Sequence, residues 1–290
     1  RRNETEGVLE DEGSPDVFAY PLMAIVSSGD NIKYGTITSL PKDFSEWKEI
    51  YQPNLKNTLE GPGGNNPRPQ EILVQGMLAP AVLLDLLRNY SVFDIDNKNK
   101  KARKLMAYYQ QYRMINRLVD TVLDPNPHKE KGRTVWHTQG SGKSLSMAFI
   151  IRKFHSTDEL KDFKILATED RVNLQDQILE TLKLSGSTVK KIENKKELSE
   201  YAGKDTSDAC LVMMHKFATG KYKKENFYEK YGISAPPIFQ EFKEVNASHK
   251  VLIINDEAHR TQAGDFGANL RIAFPNAFFV GFTGTPKLID

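Results

Sequence analysis

Apolar positions along the chain fall into short blocks, and their period changes near Arg133. From Val17 to Trp47 the blocks are strand-sized. Leu22–Val26 is followed by the turn residues Ser28-Gly29-Asp30-Asn31 and then by alternating Ile32, Tyr34 and Thr36. Apolar runs on both sides of a Gly-Asp-Asn connection predict a β-hairpin. Gly61-Pro62-Gly63-Gly64-Asn65-Asn66-Pro67 predicts a loop or linker. Within Pro80–Tyr90, Val82, Leu83, Leu86 and Leu87 form a helical stripe. Leu105–Leu123 predicts a second helix, stopped by Asp124-Pro125-Asn126-Pro127.

Beyond Arg133 strands and helices alternate. Strands are expected at Thr134–His137, Phe163–Thr168, Cys210–Met214, Val251–Ile254 and Ala277–Phe282, with helices at Lys143–Phe154 and Asn173–Leu182. Short, wholly apolar strands separated by helices predict an α/β fold, its parallel sheet covered by helices on both faces. A smaller α+β connecting region precedes it. The boundary is expected near Lys101–Leu105, giving regions 1–100 and 101–290.

Composition narrows the function classes. The chain has 290 residues, 39% hydrophobic and 27% charged, as expected of one large or two modest globular domains. A net charge of +2 leaves nucleic-acid binding to local basic patches, not to a bulk field. The single cysteine, Cys210, excludes an intramolecular disulfide and a cysteine-based zinc site, which fits a reducing cytoplasm and equally a cysteine-poor secreted protein. No apolar run approaches the ~18 residues that cross a bilayer, so no membrane role is expected. The chain opens at Arg1 without methionine or an apolar targeting segment, so its ends need not be natural ends.

Candidate chemistry concentrates in three places. His137-Thr138-Gln139-Gly140-Ser141-Gly142-Lys143-Ser144 follows a strand and opens a helix. Triphosphate binding needs several backbone N–H groups aimed at one anion. Glycines allow that curvature, and a helix N-terminus adds positive potential. Thr138, Gly140, Ser141 and Gly142 would cradle the phosphates, Lys143 would reach the β- and γ-phosphates, and Ser144 would coordinate Mg²⁺. The strict phosphate-loop pattern has glycine where this chain has His137. The bland alternative is a glycine-rich turn that happens to precede a helix.

Val251–Asn255 then leads into Asp256-Glu257-Ala258-His259-Arg260, a buried strand delivering two adjacent carboxylates at its end. Asp256 would hold Mg²⁺, Glu257 would orient the attacking water, and His259 and Arg260 are placed to sense the γ-phosphate. Downstream, Thr283 and Thr285 in Gly281-Phe282-Thr283-Gly284-Thr285-Pro286 could hydrogen-bond those carboxylates. A plain Gly-Thr-Pro turn is the alternative.

In this order the three motifs resemble motifs I, II and III of superfamily 2 helicases and translocases. Their wording is closer still to the R subunit of type I restriction-modification enzymes. The match includes Trp136–Ser144, Asp256–Gln262, and Phe274-Pro275-Asn276-Ala277 running into Gly281–Pro286. Tyr109-Gln110-Gln111-Tyr112-Arg113 looks like the family's adenine-recognising glutamine region, with Gln111 preferred over Gln110 for the adenine edge. Tyr34-Gly35-Thr36 with Phe44 and Trp47 looks like its connection between nuclease and motor.

The resemblance implies a RecA-like, phosphate-loop ATPase that uses ATP and Mg²⁺ to pull duplex DNA past an anchored complex. Its implied partners are the modification (methyltransferase) and specificity subunits. Thr168-Glu169-Asp170-Arg171 and His215-Lys216-Phe217 occupy the family's DNA-side motifs, making Arg171 and Lys216 the DNA-contacting candidates. The basic runs Lys98–Lys104 and Lys221–Lys224 are solvated faces in the bland reading and phosphate contacts otherwise. Another superfamily 2 ATPase, such as a type III restriction subunit or a DEAH-type RNA helicase, is the alternative enzyme. A nucleotide-switched scaffold is the alternative outside catalysis, which the intact Asp256-Glu257 pair argues against.

The family carries a metal-dependent nuclease ahead of its motor. Asp16 with Glu46-Trp47-Lys48 satisfies that letter pattern, but Phe44–Ile50 has helical spacing where a nuclease needs a buried strand. The nuclease residues are therefore expected upstream of Arg1 or absent. A second RecA-like domain with an arginine finger is expected beyond Asp290, so the 290 residues alone should bind and hydrolyse nucleotide weakly.

Overall fold

The computed structural model describes residues 4–5, 8–9, 21–50, 67–95, 102–124, 132–138, 140–169, 174–204, 206–213, 244–256 and 270–284. The chain divides into two compact units, Arg1–Arg113 and Met114–Asp290.

In the first unit, β1 (Ala24–Ser28) and β2 (Asn31–Gly35) form the expected antiparallel hairpin. Ser28 pairs with Asn31, and Gly29 takes the turn with a positive φ of 56°. The helical stripe forms α1 (Pro80–Asn89), burying Val82 and Leu86. Two expectations fail here. Leu105 and Met106 do not begin a helix. They end strand β4 (Ala102–Met106), antiparallel to β3 (Ser91–Ile95), and helix α2 starts later, at Tyr109–Leu123. Hydroxyls fix the strand: Thr36 Oγ1 donates to the Lys104 carbonyl at 2.8 Å, and the Lys104 N–H donates to Thr38 Oγ1 at 2.8 Å.

Phe44–Ile50 is not helical either. Tyr34 and Ser45 exchange backbone hydrogen bonds at 2.8 and 2.9 Å, so the segment runs beside the hairpin. Trp47 is thereby buried against Tyr34, Tyr109 and Tyr112, with ring centroids 5.3–5.8 Å apart. Glu46 and Lys48 on either side of it are exposed.

The second unit is built on the expected parallel sheet. Its strands are β5 (Gly132–Trp136), β6 (Lys164–Glu169), β7 (Val189–Ile192), β8 (Ala209–Met213), β9 (Val251–Asn255) and β10 (Phe278–Thr283). All neighbours are parallel, in the order β5-β10-β9-β6-β8-β7. Every residue of β6, β8 and β9 is buried, which is why β8 reads as an unbroken apolar run and β9 as one up to Asn255, while β6 keeps an apolar centre, Ile165–Ala167, between buried polar ends. One face packs Leu166, Cys210, Val212, Ile253 and Phe279 against Leu198, Leu270 and Phe274. Alternate residues such as Ala167, Leu211, Ile254 and Phe282 are buried towards the other face. Helices α3 (Lys143–Ser156), α4 (Gln175–Lys183) and α5 (Lys195–Ala202) connect the strands. Among the described residues no single helix is long and apolar enough to cross a membrane.

Candidate functional site

In an open parallel sheet, ligands bind outside the carboxyl ends of the strands, where chain-order neighbours part. Register fixes what stands at that edge. Thr283 lies level with Trp136, and Asn255 lies level with both Gly281 and Thr168. His137, Thr283 and Asp256 therefore leave the sheet side by side.

After β5 the backbone turns through Gly140 and Gly142, with φ of +78° and +86°. Gly142 is the residue before helix α3, and no side chain caps the helix there. A Cβ placed on Gly140 would meet nothing within 4 Å, so the loop is open to close approach by a ligand. Lys143 opens the helix, with Ser144 half-buried beside it. The Lys143 ammonium stands 3.9 Å from Asp256 Oδ1, and the two side chains are only 11% and 14% exposed. Asp256 is itself held to β6: its N–H donates to the Thr168 carbonyl at 3.1 Å, and Thr168 Oγ1 donates to the buried Asn255 Oδ1 at 2.7 Å.

The amides of a helix N-terminus, a loop open at Gly140, a sheltered ammonium and a carboxylate stand together here. Such a set could hold a polyphosphate together with a divalent cation, with the amides and Lys143 towards the anion and Asp256 and the Ser144 hydroxyl as oxygen ligands.

His137, where the strict pattern has glycine, is 6% exposed. Its N–H donates to the Thr283 carbonyl at 2.9 Å. Its Nδ1 hydrogen-bonds with the Ser141 hydroxyl, which also donates to the Thr138 carbonyl. Its Nε2 lies 3.4 Å from Ser146 Oγ, and the ring meets Phe282 edge-on at 5.9 Å. Burial first, and the Lys143 charge second, hold the imidazole below the ordinary histidine range, against opposing pulls from the Thr138 backbone and Asp256. The sequence marks His137 as a departure from the strict pattern and as part of the Trp136–Ser144 match, and neither indicates its burial. A histidine directly after an exposed edge-strand residue, Trp136, carries no periodic signal of burial.

Gln111 belongs to the first unit. It is 1% exposed, and its Oε1 accepts the Tyr108 N–H at 2.8 Å, closing the first turn of α2, while Gln110 is exposed. Thr168 and Glu169, the first residues of the expected DNA-side segment, are the buried end of β6. The reading of Lys98–Lys104 as a solvated or phosphate-binding run fails at Lys104. That side chain is buried, with its ammonium donating to the Leu22 carbonyl at 2.7 Å and lying 5.7 Å from the Phe93 ring centre. Glu257, His259, Arg260, Thr285, Arg171, Lys216, Asp16, Lys98 and the Lys221–Lys224 run lie outside the described residues.

The SWI2/SNF2 ATPase family matches residues 110–289. The type I restriction enzyme HindI endonuclease subunit of Haemophilus influenzae is 29% identical, over 95% of this chain and 26% of that protein. A putative type I restriction enzyme endonuclease subunit of Methanocaldococcus jannaschii, MjaIXP, is 28% identical, over 94% of this chain and 25% of its own length. These are the restriction subunits whose motif wording the sequence resembles, and the chain spans about a quarter of their length. The Sulfolobus solfataricus SWI2/SNF2 ATPase core in complex with double-stranded DNA aligns over 69% of this chain and 34% of its own at 12% identity. The TM-score is 0.39.

Proposed function

The chain belongs to the SWI2/SNF2 ATPase family, and from that premise we propose that it is motor sequence of a type I restriction endonuclease subunit, which hydrolyses ATP to translocate duplex DNA. The first unit serves as the connection from a nuclease domain and the second as the first RecA-like domain of the motor. The observation that carries the reading is the Lys143–Asp256 pair at the carboxyl edge of the sheet, beside an open glycine loop.

The loop amides from Thr138 to Ser144 and the Lys143 ammonium bind and orient the β- and γ-phosphates. Ser144 and Asp256 would hold Mg²⁺, which would supply neutralisation of charge on the phosphate oxygens. Glu257 orients the attacking water. His259 and Arg260 sense the γ-phosphate, Thr283 and Thr285 hydrogen-bond the Asp256 and Glu257 carboxylates and so link hydrolysis to movement, Gln111 reads the adenine, and Arg171 and Lys216 face the DNA backbone. The protein works in the cytoplasm, with modification and specificity subunits supplying sequence recognition.

The test is ATP turnover by the full-length protein with its methyltransferase partner, with and without duplex DNA, comparing wild type with Glu257→Gln. Duplex DNA should stimulate the wild type, and the variant should bind ATP yet turn over at least ~100-fold more slowly. Stimulation by single-stranded RNA and not by duplex DNA would move the protein to another superfamily 2 class. ATP binding without turnover in the wild type, unchanged in the variant, would make it a nucleotide-switched scaffold.

A further inference from the structure

Glycine at the first position of a phosphate loop leaves the loop's entry free to bend. Here that position is a buried histidine whose ring touches three separate elements. Nδ1 reaches Ser141 inside the loop, Nε2 faces Ser146 in helix α3, and the ring edge meets Phe282 in strand β10. The backbone N–H of the same residue is bonded to Thr283, whose strand lies between the loop's own strand and that of Asp256.

Hydrogen-bond accounting limits what the ring can do. Burial and Lys143 favour the neutral imidazole, which has one N–H and one bare nitrogen. Each serine has one hydroxyl hydrogen. Ser141 directs it to the Thr138 carbonyl, and Ser146 directs it to the Gly142 carbonyl at 3.1 Å. The ring nitrogen that carries the hydrogen lets its serine keep that carbonyl bond. The serine facing the bare nitrogen must turn its hydrogen to the ring. With the hydrogen on Nδ1, Ser141 accepts from the ring while still closing the Thr138–Ser141 turn. Only that tautomer holds the loop's entry shut on both sides of Ser141.

From this geometry we propose that His137 is a positioning residue for the nucleotide. Through Nδ1 and Ser141 it holds the phosphate loop in its binding shape and seats that loop on the Phe282–Thr283 end of β10. The proposal rests on the functional reading above, because it assigns His137 a role towards a phosphate chain bound by the loop. The ring touches no reacting atom. Its contribution is to spare the loop the entropy of being ordered when the ligand arrives.

Two amide side chains separate the ring nitrogens. Asparagine can place its amide near the Nδ1 position and so keep Ser141, whereas glutamine reaches towards the Nε2 position and so keeps Ser146. The experiment measures steady-state, duplex-DNA-stimulated ATP hydrolysis by full-length wild type, His137→Ala, His137→Asn and His137→Gln. A melting curve for each protein accompanies it. Losing a preorganising contact used equally in ground and transition states raises KM, so His137→Ala and His137→Gln should show KM for ATP up about tenfold with kcat within about twofold of wild type. His137→Asn should keep a KM near wild type. Unchanged KM in all three variants overturns the proposal. So does a fall in activity that tracks melting temperature equally in all three, the signature of a merely structural residue. Should His137→Ala not fold, the comparison of asparagine with glutamine decides, and equal KM values for those two overturn the proposal. Wild type that neither binds nor hydrolyses ATP sinks the functional reading itself, and this proposal with it.

Discussion

Lys143 and Asp256 face each other across the carboxyl edge of the sheet at 3.9 Å, in a setting that shelters both side chains. Charges in such a setting act on a ligand with less screening than exposed ones. Lys143→Ala and Asp256→Asn should each lower ATP turnover at least ~100-fold, the scale seen when one preorganised electrostatic group is removed. The double variant should be no worse than about the weaker single, because groups serving one site do not add. Steady-state hydrolysis of the four proteins checks this, and full additivity would separate the two residues functionally.

Gly142 occupies the left-handed region, at φ 86° and ψ 36°, immediately before helix α3. An L-residue there costs about 1–2 kcal/mol. Gly142→Ala should relieve that strain by letting the loop leave its shape, which lowers nucleotide affinity roughly 5- to 30-fold. Gly140→Ala should behave alike through strain alone, since its added Cβ meets nothing. Titration with a fluorescent ATP analogue measures both.

Gly76 is excluded from substitution for a different reason. A Cβ there would lie 2.7 Å from Trp47 Nε1 and 2.8 Å from the Glu49 carbonyl oxygen. Overpacking of this kind costs about 1–3 kcal/mol. Gly76→Ala should therefore lower the melting temperature, and Trp47→Phe in the same chain should recover part of the loss by removing the indole nitrogen.

Acidification should destabilise the second unit. Burial, the main cause, depresses the His155 pKa below the ordinary value of 6.5, and its Nδ1 is engaged with Ser187 Oγ at 2.8 Å. At pH 7 the ring is neutral both folded and unfolded. As pH falls through 6.5 the unfolded chain takes up a proton that the folded ring resists, so stability drops, by at most about 1.4 kcal/mol per pH unit for this group. The loss levels off once pH passes the lower, folded pKa. Thermal melts between pH 7.5 and 5.5 should show a shallower decline in His155→Gln (pH range set by the ordinary histidine value, about 6.5). An unchanged slope would assign the decline to other groups.

Cys210 lies fully buried in β8, and its thiol is pushed up to about 12, chiefly by burial. Thiolate is the reactive form, so maleimide at pH 7 should label the folded protein no faster than it unfolds. Labelling that runs ahead of unfolding would show that β8 opens locally.

Much of the second unit was legible because its strands are buried on both faces. Val251–Asn255 and Ala209–Met213 contain no alternation that could suggest any other element. The phosphate loop and Asp256 were legible as words, each at a strand end. Their approach in space was not, because it depends on the placement of β10 between them. The first unit was harder. Lys104 reads as solvent-facing, yet it is 7% exposed, its ammonium donating to the Leu22 carbonyl and lying against the exposed Phe93 ring. Phe44, Trp47 and Ile50 carry helical spacing, yet Tyr34 pairs with Ser45 and draws the segment out into an extended run. Both are long-range pairings, which no local period records.

The strand order also carries a consequence for how the protein is made. Among the described residues the sheet neighbour of Gly132–Trp136 is Phe278–Thr283. During synthesis the loop strand leaves the ribosome early but finds its place only when one of the last strands of this unit has been translated. Until then, among the described residues, the strand that carries the glycine loop has no sheet partner. Pairing between such distant segments folds slowly, so nascent chains stalled before Phe278 should be protease-sensitive at the loop and unable to retain nucleotide.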